Sequence, residues 1–413
     1  MPPRGGIEVF ELLNFRDRSR IAATSRRRGW LAQSKITNPK SKTPLVRILH
    51  IIDSLDLGGA QTALVNLVRY ADRARFHHEV ATMHGEGIFA AAFRELDVPV
   101  HSLSAHRWPP EYLVNVPRMV RRGHFDVVHC HLFAANWIAK PLAAAAGARC
   151  IYHHDQCNDA FRTESHLAIA VDRLTNRLST RVLAVSKSIE KFNLEVEKLP
   201  PEKLTYFPNS VDLAGFHPPD AGQRHAARER FGLPSDAFLI GGVGRLTAQK
   251  NFGLLLEAAE PLLGNGVELA IFGSGPEEEL LRSRAAESVH FLGTVSERAA
   301  IYHSLDALVL PSRFEGLPMT VLEAMACGVP VLASAVDGVR EIATPGVHAL
   351  LAPSEDVAAF RSELQRLLSE PNLRTRLAAN ARQLVENRFD ARMLAAELEK
   401  LYLHDLGFPA HIS

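Results

Sequence analysis

Cysteine is scarce, with four in 413 residues. That is too few for a disulfide framework in a chain this long, and the usage fits a reducing compartment. No run reaches the ~18 uninterrupted apolar residues of a membrane-spanning helix. No apolar stretch of secretory-leader type follows the N-terminus. An excess of one charge is also missing: 47 Lys and Arg stand against 46 Asp and Glu, a net of +1. Nothing in that balance points to nucleic acid, and none is expected as a partner. What is present is ordinary, 46% apolar and 23% charged, which excludes a disordered chain, a collagen-like repeat and a coiled coil. The length itself calls for two domains with a tail.

The charge is unevenly spread. Residues 1–44 hold ten Lys and Arg and only three Asp and Glu, with Arg26, Arg27 and Arg28 in a row. This segment reads as a basic, disordered extension, and contact with an anionic surface is the alternative. Beyond it, short apolar runs alternate with helix-length segments: 46–52, 78–83, 98–103, 126–131, 149–154 and 181–186. A second set follows at 238–244, 267–273, 307–311 and 329–334. Strand–helix alternation of this kind predicts parallel sheets covered by helices on both faces. Pro208 to about Phe231, with Pro218, Pro219 and Gly222, reads as a linker between the sets, and 354–404 as helical throughout. The expected fold is therefore α/β, with two Rossmann-like, doubly wound domains facing a cleft. The first covers 45–212, joined by a C-terminal helix at 388–404, and the second covers 213–387. In such sheets ligands bind beyond the carboxyl ends of the strands.

Two loops in those places carry chemistry. Gly241-Gly242-Val243-Gly244-Arg245 runs from a strand toward a helix, with Lys250 five residues after Arg245. Glycine lets a ligand approach the backbone, a helix start favours anions, and Arg245 and Lys250 add two cations suited to a diphosphate. The spacing is neither that of a Walker loop nor G-x-G-x-x-G, since Thr247 takes the last glycine's place. The second loop is Arg313-Phe314-Glu315-Gly316-Leu317-Pro318, with Glu323 eight residues after Glu315. A carboxylate among the apolar neighbours of Glu323 needs hydrogen-bond donors. Hydroxyls of a sugar or ribose would serve, and so would an internal network.

With these residues the chain resembles the retaining nucleotide-sugar glycosyltransferases of family 4, which have the GT-B fold. The resemblance rests on E-x7-E from Glu315 to Glu323, its flanks F-E-G-L-P and L-E-A-M-A-C-G-V-P-V, and G-R-L-x-x-x-K-N around Arg245 and Lys250. Gly-Gly-Ala at 58–60 and Pro208-Asn209-Ser210-Val211-Asp212 add to it, and it spans Val46 to Tyr402. It implies that Arg245 and Lys250 hold the donor diphosphate. Glu315 and the amides of Gly316 and Leu317 would meet the transferred sugar, and Glu323 the ribose. Gly273, Gly275, Thr294 and Val295 would line the nucleoside pocket, with Gly244 also binding the donor and Gly59 close to it from the other side. Ser210 stands where the family usually has glycine, and Gln61 where it more often has glutamate.

Histidines gather at two predicted strand ends: His129 and His131, then His153 and His154. Residues i and i+2 of a strand share a face, so His129 and His131 point together and Cys130 away. By resemblance, His154 contacts the transferred sugar, with His153 as its competitor, while Gly58, Gln61, His131 and His153 lie on the acceptor side. Zinc would need a further ligand set, and with no C-x-x-C or H-E-x-x-H none is expected here, Cys157 notwithstanding. Asp-x-Asp, the carboxylate pair that holds Mg²⁺ in the other major glycosyltransferase fold, is absent as well. The resemblance thus implies transfer of a hexose-type sugar to an acceptor hydroxyl with retained anomeric configuration and with no metal or other cofactor. It also implies a glycan or lipid-linked acceptor, a part in cell-surface polysaccharide, lipopolysaccharide or glycolipid assembly, and a cytoplasmic location. Arg118, Arg121 and Arg122 are read as a solvated face or as a contact with the inner face of an anionic membrane. A nucleotide-sugar epimerase and a non-catalytic sugar-nucleotide-binding protein are the alternatives. In this reading Glu323→Ala removes transfer and leaves the fold intact.

Overall fold

A computed structural model describes residues 45–56, 58–104, 111–156 and 165–408. The basic stretch 1–44, Cys157, and parts of the loops 104–112 and 155–166 lie outside these residues. Two wholly parallel sheets organise the rest, one to each lobe. The first contains β1 (Val46–Ile52), β2 (Phe76–Thr82), β3 (Val100–Ser102), β4 (Val127–His131), β5 (Cys150–Asp155), β6 (Arg181–Ala184) and β7 (Leu204–Tyr206). Its spatial order is β3-β2-β1-β4-β5-β6-β7. The second contains β8 (Phe238–Val243), β9 (Val267–Phe272), β10 (Val289–Gly293), β11 (Ala307–Leu310), β12 (Val331–Ser334) and β13 (Leu350–Ala352), in the order β10-β9-β8-β11-β12-β13. In each sheet the order reverses once, between β1 and β4 and between β8 and β11. A crevice opens at such a switch point, beyond the strand ends. Both motif loops, after β8 and after β11, border that crevice.

The central strands are buried on both faces and therefore read as near-continuous apolar runs. Three strands were not anticipated: β7, β10 and β13. All three lie at sheet edges, and β7 and β10 are half-exposed along their length. β7 and β10 bury too little to show an apolar run, while β13 is buried but only three residues long.

The linker reading is corrected at its far end. Residues Ala221–Arg230 form a helix, started by a reciprocal pair of hydrogen bonds between Asp220 and Gln223. Arg224 and Arg228 tie it to Asp306 beside β11 at 2.6 and 2.7 Å. The helix therefore belongs to the second lobe, and Pro218, Pro219 and Gly222 mark its approach. The C-terminal segment likewise divides into helices Val357–Ser369, Pro371–Arg388 and Ala391–Asp405. Its second break is a crossing. Val211 donates to Phe389 O at 2.8 Å and accepts from Ala391 N at 3.0 Å, so the two interlobe passages lie side by side.

The last helix then docks under the first sheet. Leu394, Leu398 and Tyr402 pack with Val46, Ile48 and Tyr152, and Asp405 accepts from Tyr152 Oη at 2.6 Å and from Arg181 at 2.6 and 2.7 Å.

On the opposite face Lys140 is fully buried, donating to Asn176 Oδ1 at 2.7 Å and to Ser179 Oγ at 3.3 Å. Burial depresses its pKa to about 7, against the pull of Cys130, Asp172, Glu197 and Asp155. The folded pKa lies below the unfolded one, so between them the unfolded chain holds a proton that the native chain lacks. Stability therefore rises with pH in that window. Relative to Lys140→Met, the wild type should gain about 2 kcal/mol in urea unfolding between about pH 7.5 and 9.5. A pH-independent difference would contradict a native lysine near neutrality.

Candidate functional site

Three loops of the second lobe interlock through backbone. Leu246 N donates to Ser274 O at 2.9 Å, Glu277 N to Leu246 O at 3.0 Å, and Gly273 N to Gly293 O at 2.7 Å. The Ser274 and Thr294 hydroxyls meet at 3.0 Å. Gly273 has φ +136°, and a Cβ there would sit 1.9 Å from Gly244 O. A Cβ on Gly275 would lie 2.4 Å from Leu246 O. These glycines let the strand-end loops close on one another, which builds one surface from Gly244, Gly273, Gly275 and Thr294. Val295 packs beside it against the lobe's core.

The loops after β8 and β11 are stitched in the same way. Arg313 N donates to Gln249 O at 2.8 Å, and Gln249 Nε2 to Phe314 O at 3.0 Å. Between them Lys250 Nζ and Glu315 Oε1 form an ion pair at 2.5 Å. Both ends are sheltered, with side chains 15% and 7% exposed, so the pair is stronger than one at an open surface. Arg245 is exposed and, among the described residues, makes no ion pair. Gly316 is held from behind, because a Cβ on Gly338 would lie 2.3 Å from its carbonyl oxygen. Leu317 O accepts from Asn209 of the crossing segment at 3.1 Å. Glu315 and Gly316 face Ser188 and Ile189 of the first lobe across a cavity of about 290 Å³.

Glu323 lies in the helix Met319–Ala326 and is fully buried. Arg298 Nη2 stands 2.5 Å from Oε1 and 2.6 Å from Oε2, and Tyr302 Oη donates to Oε2 at 2.6 Å. Burial raises the Glu323 pKa, and Arg298 and Tyr302 oppose that rise. Despite its closeness, Arg298 is poorly aligned with Oε1, which accepts no hydrogen bond. Arg298 also donates to Thr62 Oγ1 of the first lobe, so this network spans the crevice. Sequence reasoning missed Arg298 and Tyr302. They sit four apart on a helix that follows the unanticipated β10, and only tertiary folding turns them toward Glu323.

From the first lobe, Gly58 and Gly59 open the helix Gly59–Arg69. A Cβ on Gly59 would come within 3.3 Å of Met319 Cγ, so this helix start abuts that of the second lobe. Gln61 folds back, donating to Ser54 O at 3.0 Å. The strand-end histidines separate by face: β4 and β5 pair His131 with His154, and Cys130 with His153. All four are buried. The His154 ring stands 5.7 Å from His129, 5.8 Å from His131 and 5.8 Å from Phe207, and burial lowers its pKa to about 4. It is therefore neutral near pH 7.

Two parallel-sheet lobes, with glycine-bearing strand-end loops and the Lys250–Glu315 pair on one side and a glycine-opened helix on the other, have the architecture of a two-lobed glycosyltransferase fold. Residues 57–214 match the model of Glycosyltransferase Family 4, and residues 223–384 that of Glycosyl transferases group 1. The chain is 29% identical over 342 residues to the putative glycosyltransferase EpsF of Bacillus subtilis, covering 78% of this chain and 87% of that one. It is 30% identical over 285 residues to the D-inositol 3-phosphate glycosyltransferase of Frankia alni, covering 63% and 69%. Among solved structures it is similar to HepE of Anabaena with UDP and glucose (TM-score 0.76, 20% identity, 86% and 99% covered). It is also similar to WaaG, a glycosyltransferase of lipopolysaccharide biosynthesis (TM-score 0.68, 16% identity, 86% and 99% covered). The chain belongs to the group 1, family 4 glycosyltransferases and is an enzyme of that class.

Proposed function

We propose that the enzyme moves a sugar from a nucleoside diphosphate donor to an acceptor hydroxyl with retention of anomeric configuration. The observation that carries this reading is the sheltered Lys250–Glu315 pair at the second lobe's switch point, where Glu315 faces Ser188 and Ile189 of the first lobe across a cavity. On donor binding Lys250 leaves Glu315 for the diphosphate, joined by the exposed Arg245. Glu315, released, meets the transferred sugar with the amides of Gly316 and Leu317. Glu323 Oε1 is an acceptor without a hydrogen bond, and a ribose hydroxyl supplies the donor. By the family resemblance His154 positions the sugar from the first lobe, which requires uncovering its ring from among His129, His131 and Phe207, with His153 on the opposite face of β5 as the alternative. The acceptor hydroxyl attacks the face from which the diphosphate departs, and its proton passes to a donor phosphate oxygen. Charge developing on the leaving diphosphate is stabilised by fixed cations and amides in a closing cleft. The transfer step needs no metal ion.

The HepE structures with UDP and UDP-glucose support a uridine donor as the first to try. WaaG, a glycosyltransferase of lipopolysaccharide biosynthesis, supports a surface-glycan role with a glycan or lipid-linked acceptor. No helix among the described residues is long and apolar enough to cross a membrane. The helix Glu111–Gly123 exposes Leu113 and Val114 with Arg118, Arg121 and Arg122, a surface suited to the inner face of an anionic membrane. The reading is tested by thermal shift against UDP, GDP, ADP and their sugar conjugates. One nucleotide series should raise the melting temperature, as binding to the native state requires. Transfer from that donor should survive EDTA. Absence of any shift would overturn the donor assignment, and loss of transfer on chelation would overturn the metal-free step.

A further inference from the structure

The face of the first sheet covered by the C-terminal helix carries five buried histidines: His50, His78, His129, His131 and His154. Strand pairing gathers them, because β1 and β4 set His50 beside His129, and β4 and β5 set His131 beside His154. Ring centroids of His129 and His131 are 4.1 Å apart, and His50 stands 5.4 Å from each. His50 Nδ1 meets His131 Nε2 at 3.1 Å, His50 Nε2 meets His78 Nδ1 at 2.9 Å, and His129 Nδ1 meets Tyr402 Oη at 2.6 Å. These contacts leave His78 Nε2, His129 Nε2 and His131 Nδ1 buried with no partner. Buried polar atoms are as a rule paired. A neutral imidazole has one N–H and one lone pair. The chain His78–His50–His131 therefore holds three protons for two internal hydrogen bonds, and one N–H must end unpaired. Hydrogen bonding within the protein does not satisfy this cluster.

We propose that His50, His129 and His131 bind a transition-metal ion of the zinc type. One ring nitrogen from each lies within 4.8 Å of the other two. Bonds of about 2.0–2.1 Å place tetrahedral ligand nitrogens about 3.4 Å apart. The 3.1 Å between His50 Nδ1 and His131 Nε2 is already close to that spacing. Two ligands have their other nitrogen engaged, His50 by His78 and His129 by Tyr402, the arrangement that orients metal-bound imidazoles. An all-imidazole set suits zinc, cobalt, nickel or copper, and not magnesium or calcium. Cys130 lies on the opposite face of β4 and adds no sulfur. The ion would sit between the first sheet and Tyr402 of the last helix, so its role is structural. The sequence alone could not show this site, since His50 lies about 80 residues from its companions and only strand register joins them.

The test uses the full chain, free of any histidine tag and stripped by a chelator. It is then unfolded and refolded with Zn²⁺ or Co²⁺. Expected are about one metal ion per chain by elemental analysis, visible absorption from the cobalt form, and a melting temperature several degrees above that of the stripped protein. His50→Gln combined with His129→Gln should bind less than a tenth as much metal and keep its nucleotide-induced thermal shift. Less than about a tenth of an equivalent in the wild type, with no cobalt spectrum, would overturn the proposal. So would a double variant that retains metal. If the variant fails to fold, wild-type stoichiometry and spectrum still decide. Nucleotide binding and metal binding are read separately, so either proposal can fail while the other stands.

Discussion

Lys250→Ala is expected to lower kcat/KM by about 10²- to 10³-fold, the loss seen when one preorganised charge-stabilising donor is removed. The nucleotide-induced thermal shift should shrink with it, because the ammonium is sheltered and its charge acts in a medium less screening than water. A second effect adds to the first. Without Lys250 the Glu315 carboxylate, 7% exposed, loses its ion-pair partner and would repel an incoming diphosphate. Glu315→Gln added to Lys250→Ala should therefore restore part of the thermal shift and none of the transfer. Steady-state kinetics beside thermal shifts separate the two effects. Activity of Lys250→Ala within about threefold of wild type would exclude it from phosphate binding.

Glu323→Ala should cost about 3 kcal/mol of stability as well as transfer. The sequence reading expected the fold to survive untouched, and the buried network argues otherwise. Removing the carboxylate leaves the Arg298 charge without its partner and the Tyr302 hydroxyl, fully buried, without an acceptor. Replacing the pair by apolar groups removes that penalty, so Glu323→Leu with Arg298→Met should recover most of the stability. It should recover no transfer if the carboxylate serves the ribose. Urea midpoints give the first quantity and product formation the second. A stable, inactive Glu323→Ala would mean that its neighbours relax around the loss, and a fully active double variant would remove Glu323 from the site.

Much of this was legible for definite physical reasons. Central parallel strands are buried on both faces, so β8 and β11 stand out as uninterrupted apolar runs and β1 as one broken only by Arg47 and His50. The loops that follow them must turn into helices beside a crevice, which is why glycine and charge at Gly244–Lys250 and Arg313–Pro318 could be placed there. The half-exposed edge strands β7 and β10 showed no apolar run, and with β10 went the helix that carries Arg298 and Tyr302. The glycines were read only as room for a ligand, whereas Gly273 and Gly275 first make room for neighbouring loops. His129 and His131 were seen to share a face. His50 was not seen to join them, because strand order is a tertiary fact.

The last helix has a bearing on how the chain is made. The first sheet is complete at Tyr206, yet part of the cover for its histidine-bearing face is Ala391–Asp405, emerging roughly 200 residues later. At about 5–20 residues per second, a ribosome needs some tens of seconds or less to supply it. Throughout that interval Ile48, Tyr152 and His129 lack their cover from the last helix, and the second lobe, wholly encoded in the gap, can finish first. The protein's own order of synthesis thus leaves its earliest lobe to be sealed last, and a chain halted before residue 391 would carry an open, adhesive sheet.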